Sequence, residues 1–159
     1  MEDIRYTPAS PDDLPAIKAL LEQCDLPAED LGSAHLEHFV TCRSGDRIVG
    51  TVGVEPLGET GLLRSLAVAP TFRGKRLGLE LWTRARQKAT RLGVSQLYLL
   101  TTTAERLFAR WGFRRVPRDE VTEIVRSTSQ YSAICPTTAV VMAIDLTTTR
   151  LSDRRDQGG

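Results

Sequence analysis

Several features that would narrow a sequence at once are missing from this one. Its 159 residues hold three cysteines, Cys24, Cys42 and Cys135, an odd and widely spaced set that forms neither a disulfide framework nor a pair of CxxC metal sites. Reduced thiols are expected. No apolar run approaches the ~18–20 residues needed to cross a bilayer, and the opening Met1-Glu2-Asp3-Ile4-Arg5 is acidic, unlike the basic start of a signal peptide. A soluble, cytoplasmic protein without membrane contact is therefore expected. Charge of one sign is also lacking. Lys and Arg number 21 against 20 Asp and Glu, so no global positive excess is available to neutralise a run of phosphates, and a nucleic-acid partner is disfavoured. The three spaced glycines of a dinucleotide-binding turn are absent, as is the Gly-Lys-Ser/Thr of a P-loop. What is present is an ordinary globular composition. The apolar set is 41% of residues, and 12 glycines raise it to roughly 49%. The length predicts one domain, residues 1–146, with a polar frayed tail over 147–159.

Periodicity predicts the elements. Ile4 to Thr7 reads as a strand, and Ser10-Pro11-Asp12-Asp13 opens a helix carrying Leu14, Ile17, Leu20, Leu21 and Cys24. Phe39 to Cys42 and Ile48 to Val54 read as a hairpin across Arg43-Ser44-Gly45-Asp46, and Leu62 to Val68 as a third, antiparallel strand. The period then changes to 3.6. Leu77, Leu81, Trp82, Ala85, Ala89 and Leu92 form one helical stripe that Gly93 ends. Val94 to Leu100 reads as an apolar segment, broken by Ser95 and Gln96 and continuous from Leu97 to Leu100, as in a strand buried on both faces; Ala104, Leu107, Phe108 and Trp111 repeat the helical spacing. Phe113–Val116 and Ala139–Leu146 read as closing strands, with Pro117 to Ser129 partly helical. The fold class is α/β (α+β), a mixed sheet, mostly antiparallel, flanked by helices.

The segment from Leu66 to Gly78 carries the chemistry. A buried strand ends at Pro70, a basic turn with glycine follows, and a helix begins. The unpaired N–H groups of a helix start, with Arg73, Lys75 and Arg76 beside Gly74 and Gly78, make an anion site; a plain strand-to-helix turn with solvated arginines is the competing reading. Here the residues resemble the GNAT superfamily of acetyl-CoA-dependent N-acetyltransferases, whose pyrophosphate motif runs Gln/Arg-x-x-Gly-x-Gly/Ala after a strand. Arg73 and Gly78 fit its ends, and Arg76 replaces its middle glycine. A helical backbone at Arg76, with the side chain outward, is expected. Leu66-Ala67-Val68-Ala69-Pro70 resembles the family's fourth strand, and Ala104 to Phe113 its cofactor-flanking helix. Leu99 to Phe113 is similar to the acetyltransferase domain of N-acetylglutamate synthase. Ile134 to Met142 resembles short members encoded with arsenic-resistance genes.

The resemblance implies acetyl-CoA as cosubstrate, bound by Leu66, Ala67, Val68, Arg73, Gly74, Lys75, Arg76, Leu77, Gly78, Ala104 and Phe108. It implies N-acetylation of a small-molecule amine, an amino acid or an analogue; a non-catalytic acyl-CoA sensor of the same fold is the alternative, and protein lysine acetylation a weaker one. A homodimer is left open, and no resident metal is expected. Val68 N–H is the implied donor to the thioester carbonyl. Glu55, at the end of its strand, is the candidate base, with Glu59 in reserve; a surface carboxylate is the plainer alternative. Arg64 alternates with Leu62 and Leu66 and so faces inward, where it needs a carboxylate from either the substrate or the chain. Arg126 and Thr101 are further acceptor-side candidates. Many members place a tyrosine acid where this sequence has Phe108. Tyr131 is the first substitute and Cys135 the second, with packing as the other role for each. His35 and His38 beside Cys42 could ligate a metal or trivalent arsenic, but their spacing matches no established site and a polar helix face is the expected reading.

Overall fold

A computed structural model of the chain describes residues 3–128, 131 and 139–146. Seven strands, β1 (Ile4–Pro8), β2 (Phe39–Ser44), β3 (Arg47–Leu57), β4 (Thr60–Val68), β5 (Gln96–Thr101), β6 (Arg114–Val116) and β7 (Val140–Asp145), form one sheet in the order β1-β2-β3-β4-β5-β7-β6. The sheet is mixed and mostly antiparallel, as expected; β4 and β5 pair in parallel through Thr60↔Gln96, Gly61↔Leu97 and Leu62↔Tyr98. That one parallel pair follows from the crossover helix between them, since a hairpin cannot return a chain in the same direction. Helices among the described residues include α1 (Leu14–Gln23), α2 (Leu77–Arg91), α3 (Glu105–Arg110) and α4 (Glu123–Arg126), with 3₁₀ turns at Pro11–Asp13, Ser33–His38, Pro70–Phe72 and Arg118–Glu120. The described residues gather into two compact units, one drawn from Met1–Glu55 and Leu63–Lys88, the other from Pro56–Leu62 and Ala89–Gly159. The tail expected over 147–159 lies outside the described residues.

Helix ends in this chain are chemically explicit. At the start of α1, the Asp13 carboxylate accepts the Ser10 N–H at 2.9 Å and Arg43 Nη2 at 2.8 Å. Its pKa is lowered. Burial pushes it upward, but the hydrogen bonds from Ser10 and Arg43 and the guanidinium charge outweigh that effect. α1 ends in a Schellman motif, with Leu26 N–H on the Leu21 carbonyl at 2.9 Å, Asp25 N–H on that of Glu22 at 3.1 Å, and Asp25 left-handed at φ 58°. α2 repeats the motif with Gly93 at φ 85°, as expected of that glycine, and α3 repeats it with Gly112 at φ 104°.

In the first unit, α1 buries Ile17, Leu20 and Leu21, one face of the helix. Two glycines of β3 let neighbours come close. A Cβ on Gly53 would lie 2.1 Å from the buried Phe39 ring, and one on Gly50 would lie 3.0 Å from Leu81 Cδ1. In the second unit, Leu62, Tyr98, Val116, Val121, Val125, Val141 and Ala143 form a core against which Leu57, Leu100 and Tyr131 pack. Strand boundaries differ from the sequence reading chiefly at β3, which runs on through Pro56 to Leu57 instead of closing before it.

Candidate active site

The turn from β4 into α2 belongs to the first unit. Pro70–Phe72 forms a 3₁₀ turn, and Arg73 folds back so that its Nε donates to the Val68 carbonyl at 3.1 Å. Its Nη2 lies 3.5 Å from Cys24 Sγ, and that thiol lies 3.6 Å from the same carbonyl. Lys75 Nζ stands 5.1 Å over the Phe72 ring, in cation–π range. Gly74 is left-handed at φ 85°, with open space around its Cβ position. Arg76 is left-handed too, at φ 65°, which corrects the expectation of a helical backbone there. An arginine in this region strains the chain by about 1–2 kcal/mol, because its Cβ crowds the following carbonyl. The strain accompanies a function of the backbone: the Arg76 carbonyl accepts the first helical hydrogen bond, from Glu80 N–H at 3.2 Å. The N–H groups of Leu77, Gly78 and Leu79 therefore precede the helical ladder and are oriented toward whatever anion meets the helix start.

A second constellation in the same unit centres on Arg64. Its side chain is 0% exposed and makes a two-armed pair with Asp30, Nη1 to Oδ2 at 2.7 Å and Nη2 to Oδ1 at 2.9 Å. Nε donates to Ser65 Oγ at 3.2 Å, at a residue of β4 whose backbone is left-handed, φ 59°. Glu55 Oε1 lies 3.5 Å from Nη1, within ion-pair range but outside hydrogen-bond geometry, and Oε1 is buried without a hydrogen-bond partner. The inward face read for Arg64 is correct. The carboxylate it meets belongs to the chain, one of the two partners left open for it. Asp30 was not legible beforehand, for it sits in a polar stretch with no periodicity.

The remaining candidates lie in the second unit. Thr101 Oγ1 accepts the N–H groups of Ala104 at 2.9 Å and Thr103 at 3.3 Å, capping the approach to α3. Phe108 is buried and meets Trp111 and Phe113 edge-on, with centroids 5.6 and 5.7 Å away. It is the third-last residue of α3, and its contact with Phe113 is the hydrophobic closure that accompanies a Schellman cap. Tyr131 is half-buried, its hydroxyl 3.4 Å from Arg118 Nη1. Arg126 is exposed and donates to the Arg118 carbonyl. Cys135 lies outside the described residues.

His35 Nδ1 accepts the Gly32 N–H at 2.9 Å, and the Cys42 thiol is buried, which pushes its pKa up and keeps it protonated. Among the described residues no group of three metal-ligating side chains occurs. No helix among them is long and apolar enough to cross a membrane.

Solved structures share this architecture. N-acetylglutamate synthase from Neisseria gonorrhoeae, complexed with coenzyme A and N-acetyl-glutamate, superposes with a TM-score of 0.77 at 22% identity over 91% of this chain and 35% of that one. This chain thus spans about a third of that enzyme's length. A Mycobacterium tuberculosis protein in complex with CoA gives 0.71 at 24% identity, covering 89% of this chain and 98% of the other. The ribosomal-protein-S18-alanine N-acetyltransferase from Escherichia coli gives 0.67 at 16% identity, covering 91% and 94%. The fold is that of the acetyl-CoA-dependent N-acetyltransferases. Residues 4–113 match the Acetyltransferase (GNAT) family, and the chain belongs to that family.

Proposed function

We propose that the chain moves the acetyl group of acetyl-CoA to the amine of a small amino acid or an analogue of one. The observation that carries the cofactor half is the turn at Arg73–Gly78, whose two left-handed residues bring a helix start and three cations to one bend. The diphosphate binds there in this reading, with the pantetheine along Leu66, Ala67 and Val68. Ala104 and Phe108 complete the cofactor contacts by resemblance.

Glu55 takes one proton from the acceptor's ammonium, and the freed nitrogen lone pair attacks the thioester carbonyl carbon. As the N–C bond forms, the Val68 N–H stabilises the tetrahedral oxyanion. The C–S bond then breaks as the nitrogen gives up its second surplus proton to water, and the thiolate takes a proton from Tyr131 or from water. A thiol pKa near 8.5 makes it a tolerable leaving group even without a matched acid. The amino-acid acceptor rests on the likeness of Leu99 to Phe113 to amino-acid acetyltransferases. Mass spectrometry of a panel that pairs amino acids with their decarboxylated amines tests it. Acetylated amino acids with poor conversion of their decarboxylated partners are expected. Equal conversion of alkyl amines or peptides overturns the amino-acid assignment, and cofactor binding with no acetylated amine supports the sensor alternative.

A further inference from the structure

One cation and two carboxylates meet at Arg64, and they do not share it equally. Asp30 takes both arms of the guanidinium at 2.7 and 2.9 Å, whereas Glu55 stands at 3.5 Å without a hydrogen bond. The side chains of Arg64 and Asp30 are 0% and 7% exposed, so this pair is sealed from water and weakly screened. Glu55 is 21% exposed while its Oε1 is buried, so the exposed part of the side chain lies away from Arg64. The group of three carries a net charge of one negative, and the part of it open to solvent is Glu55.

We propose that Asp30 is a positioning residue of the acceptor site. By engaging Arg64 in a two-armed pair, it keeps that guanidinium from neutralising Glu55 and leaves the Glu55 carboxylate charged toward an incoming primary ammonium. The reasoning is electrostatic. The Asp30 charge offsets part of the guanidinium's pull on Glu55, so the three side chains together keep one net negative charge. With Asp30 uncharged, the same guanidinium becomes the counter-ion of Glu55 and competes with the ammonium. Its effect on the acceptor passes through Arg64 and Glu55. The inference deepens the proposed function, because it assigns the acceptor's cationic form to Glu55 and rests on that residue being the acceptor-side carboxylate.

The probe is n-butylammonium chloride, titrated into the full chain by NMR with sodium chloride at matched ionic strength as the control. The parent should bind it saturably, and Glu55→Gln should abolish the binding. Asp30→Asn should weaken it about tenfold, with acetyl-CoA affinity unchanged within twofold and with no further loss when combined with Glu55→Gln. Asp30→Glu keeps the charge and should bind within threefold of the parent, which gives a reading even if Asp30→Asn does not fold. A folded Asp30→Asn that binds like the parent overturns the proposal. So does a tenfold loss in Asp30→Glu, which marks Asp30 as packing alone. Turnover is read only to separate this inference from the proposed reaction. A chain that binds butylammonium as described but acetylates no amine contradicts the proposed reaction and leaves this inference standing; a chain that acetylates amines with Asp30→Asn indistinguishable from the parent does the reverse.

Discussion

Arg73 donates from Nε to the Val68 carbonyl at 3.1 Å, so the first cation of the turn is tied to the last residue of β4. The proposed diphosphate bend and the proposed oxyanion donor are thereby fixed to each other within one short segment. Arg73→Ala should raise the dissociation constant of acetyl-CoA about fivefold, the worth of roughly 1 kcal/mol for one hydrogen bond. Isothermal titration calorimetry checks this, and an unchanged constant would show that the contact is decorative. Gly78→Asp should do more, because it brings a carboxylate to the N–H groups meant for phosphate; rising salt should weaken binding in the parent.

Arg76→Gly should stabilise the fold. The left-handed backbone at φ 65° suits glycine, so removing the Cβ should recover about 1 kcal/mol and raise the melting temperature by roughly 2–4 °C. A lower melting temperature in calorimetry would mean that the arginine side chain makes contacts worth more than the strain.

Gly53→Ala should destabilise by about 1–3 kcal/mol. Its Cβ would lie 2.1 Å from the Phe39 ring, which is 1% exposed and has no free volume into which to retreat. Urea denaturation reads the loss, and a change under 0.5 kcal/mol would contradict the packing described for β2 and β3.

Asp13 should make the fold acid-sensitive. Its folded pKa lies below the ordinary carboxylate value of 3.8, so its stabilisation is present in full above that value. The contribution fades as pH falls from the unfolded value through the lower, folded one. The gap in unfolding free energy between the parent and Asp13→Asn should be about 1 kcal/mol at neutral pH and should shrink below pH 4. A gap that does not change with pH would remove the Arg43 and Ser10 bonds from the account.

Much of this architecture is written locally. Gly93 and Gly112 mark helix ends because only a residue tolerant of left-handed geometry completes a Schellman cap, and the apolar run at β5 marks a strand buried on both faces. The turn from Arg73 to Gly78 was legible for the same reason, since its cations, glycines and helix start are contiguous. The conformation of Arg76 was not, because the residue type argues against the backbone it adopts. Partners distant in sequence were also hidden. Arg64 announces that it needs a carboxylate, but nothing nearby identifies Asp30, 34 residues away. Thr101 shows the opposite limit: a threonine at a strand end suits a binding site or a cap equally well, and only its contacts with Thr103 and Ala104 show the cap.

Phe108 and Tyr131 bear on proton delivery to the leaving thiolate. Phe108→Tyr adds a hydroxyl to a ring already closed against Trp111 and Phe113, so the gain in chemical rate should be no more than about tenfold, below the 10²–10⁴ of an essential acid. Tyr131→Phe should cost more than that and leave acetyl-CoA affinity intact. A Tyr131→Phe enzyme with the parent single-turnover rate would return Tyr131 to packing beside Arg118.

The central claim is that acetyl passes directly from acetyl-CoA to an amine deprotonated at Glu55. Single-turnover transfer in the parent and in Glu55→Gln, with free CoA thiol and acetylated amine counted together, tests it most directly. The account predicts one thiol released per amine acetylated, and a rate in Glu55→Gln lower by about 10²–10⁴-fold with acetyl-CoA affinity within twofold of the parent. Thiol release without acetylated amine, or a Glu55→Gln enzyme as fast as the parent, would contradict it.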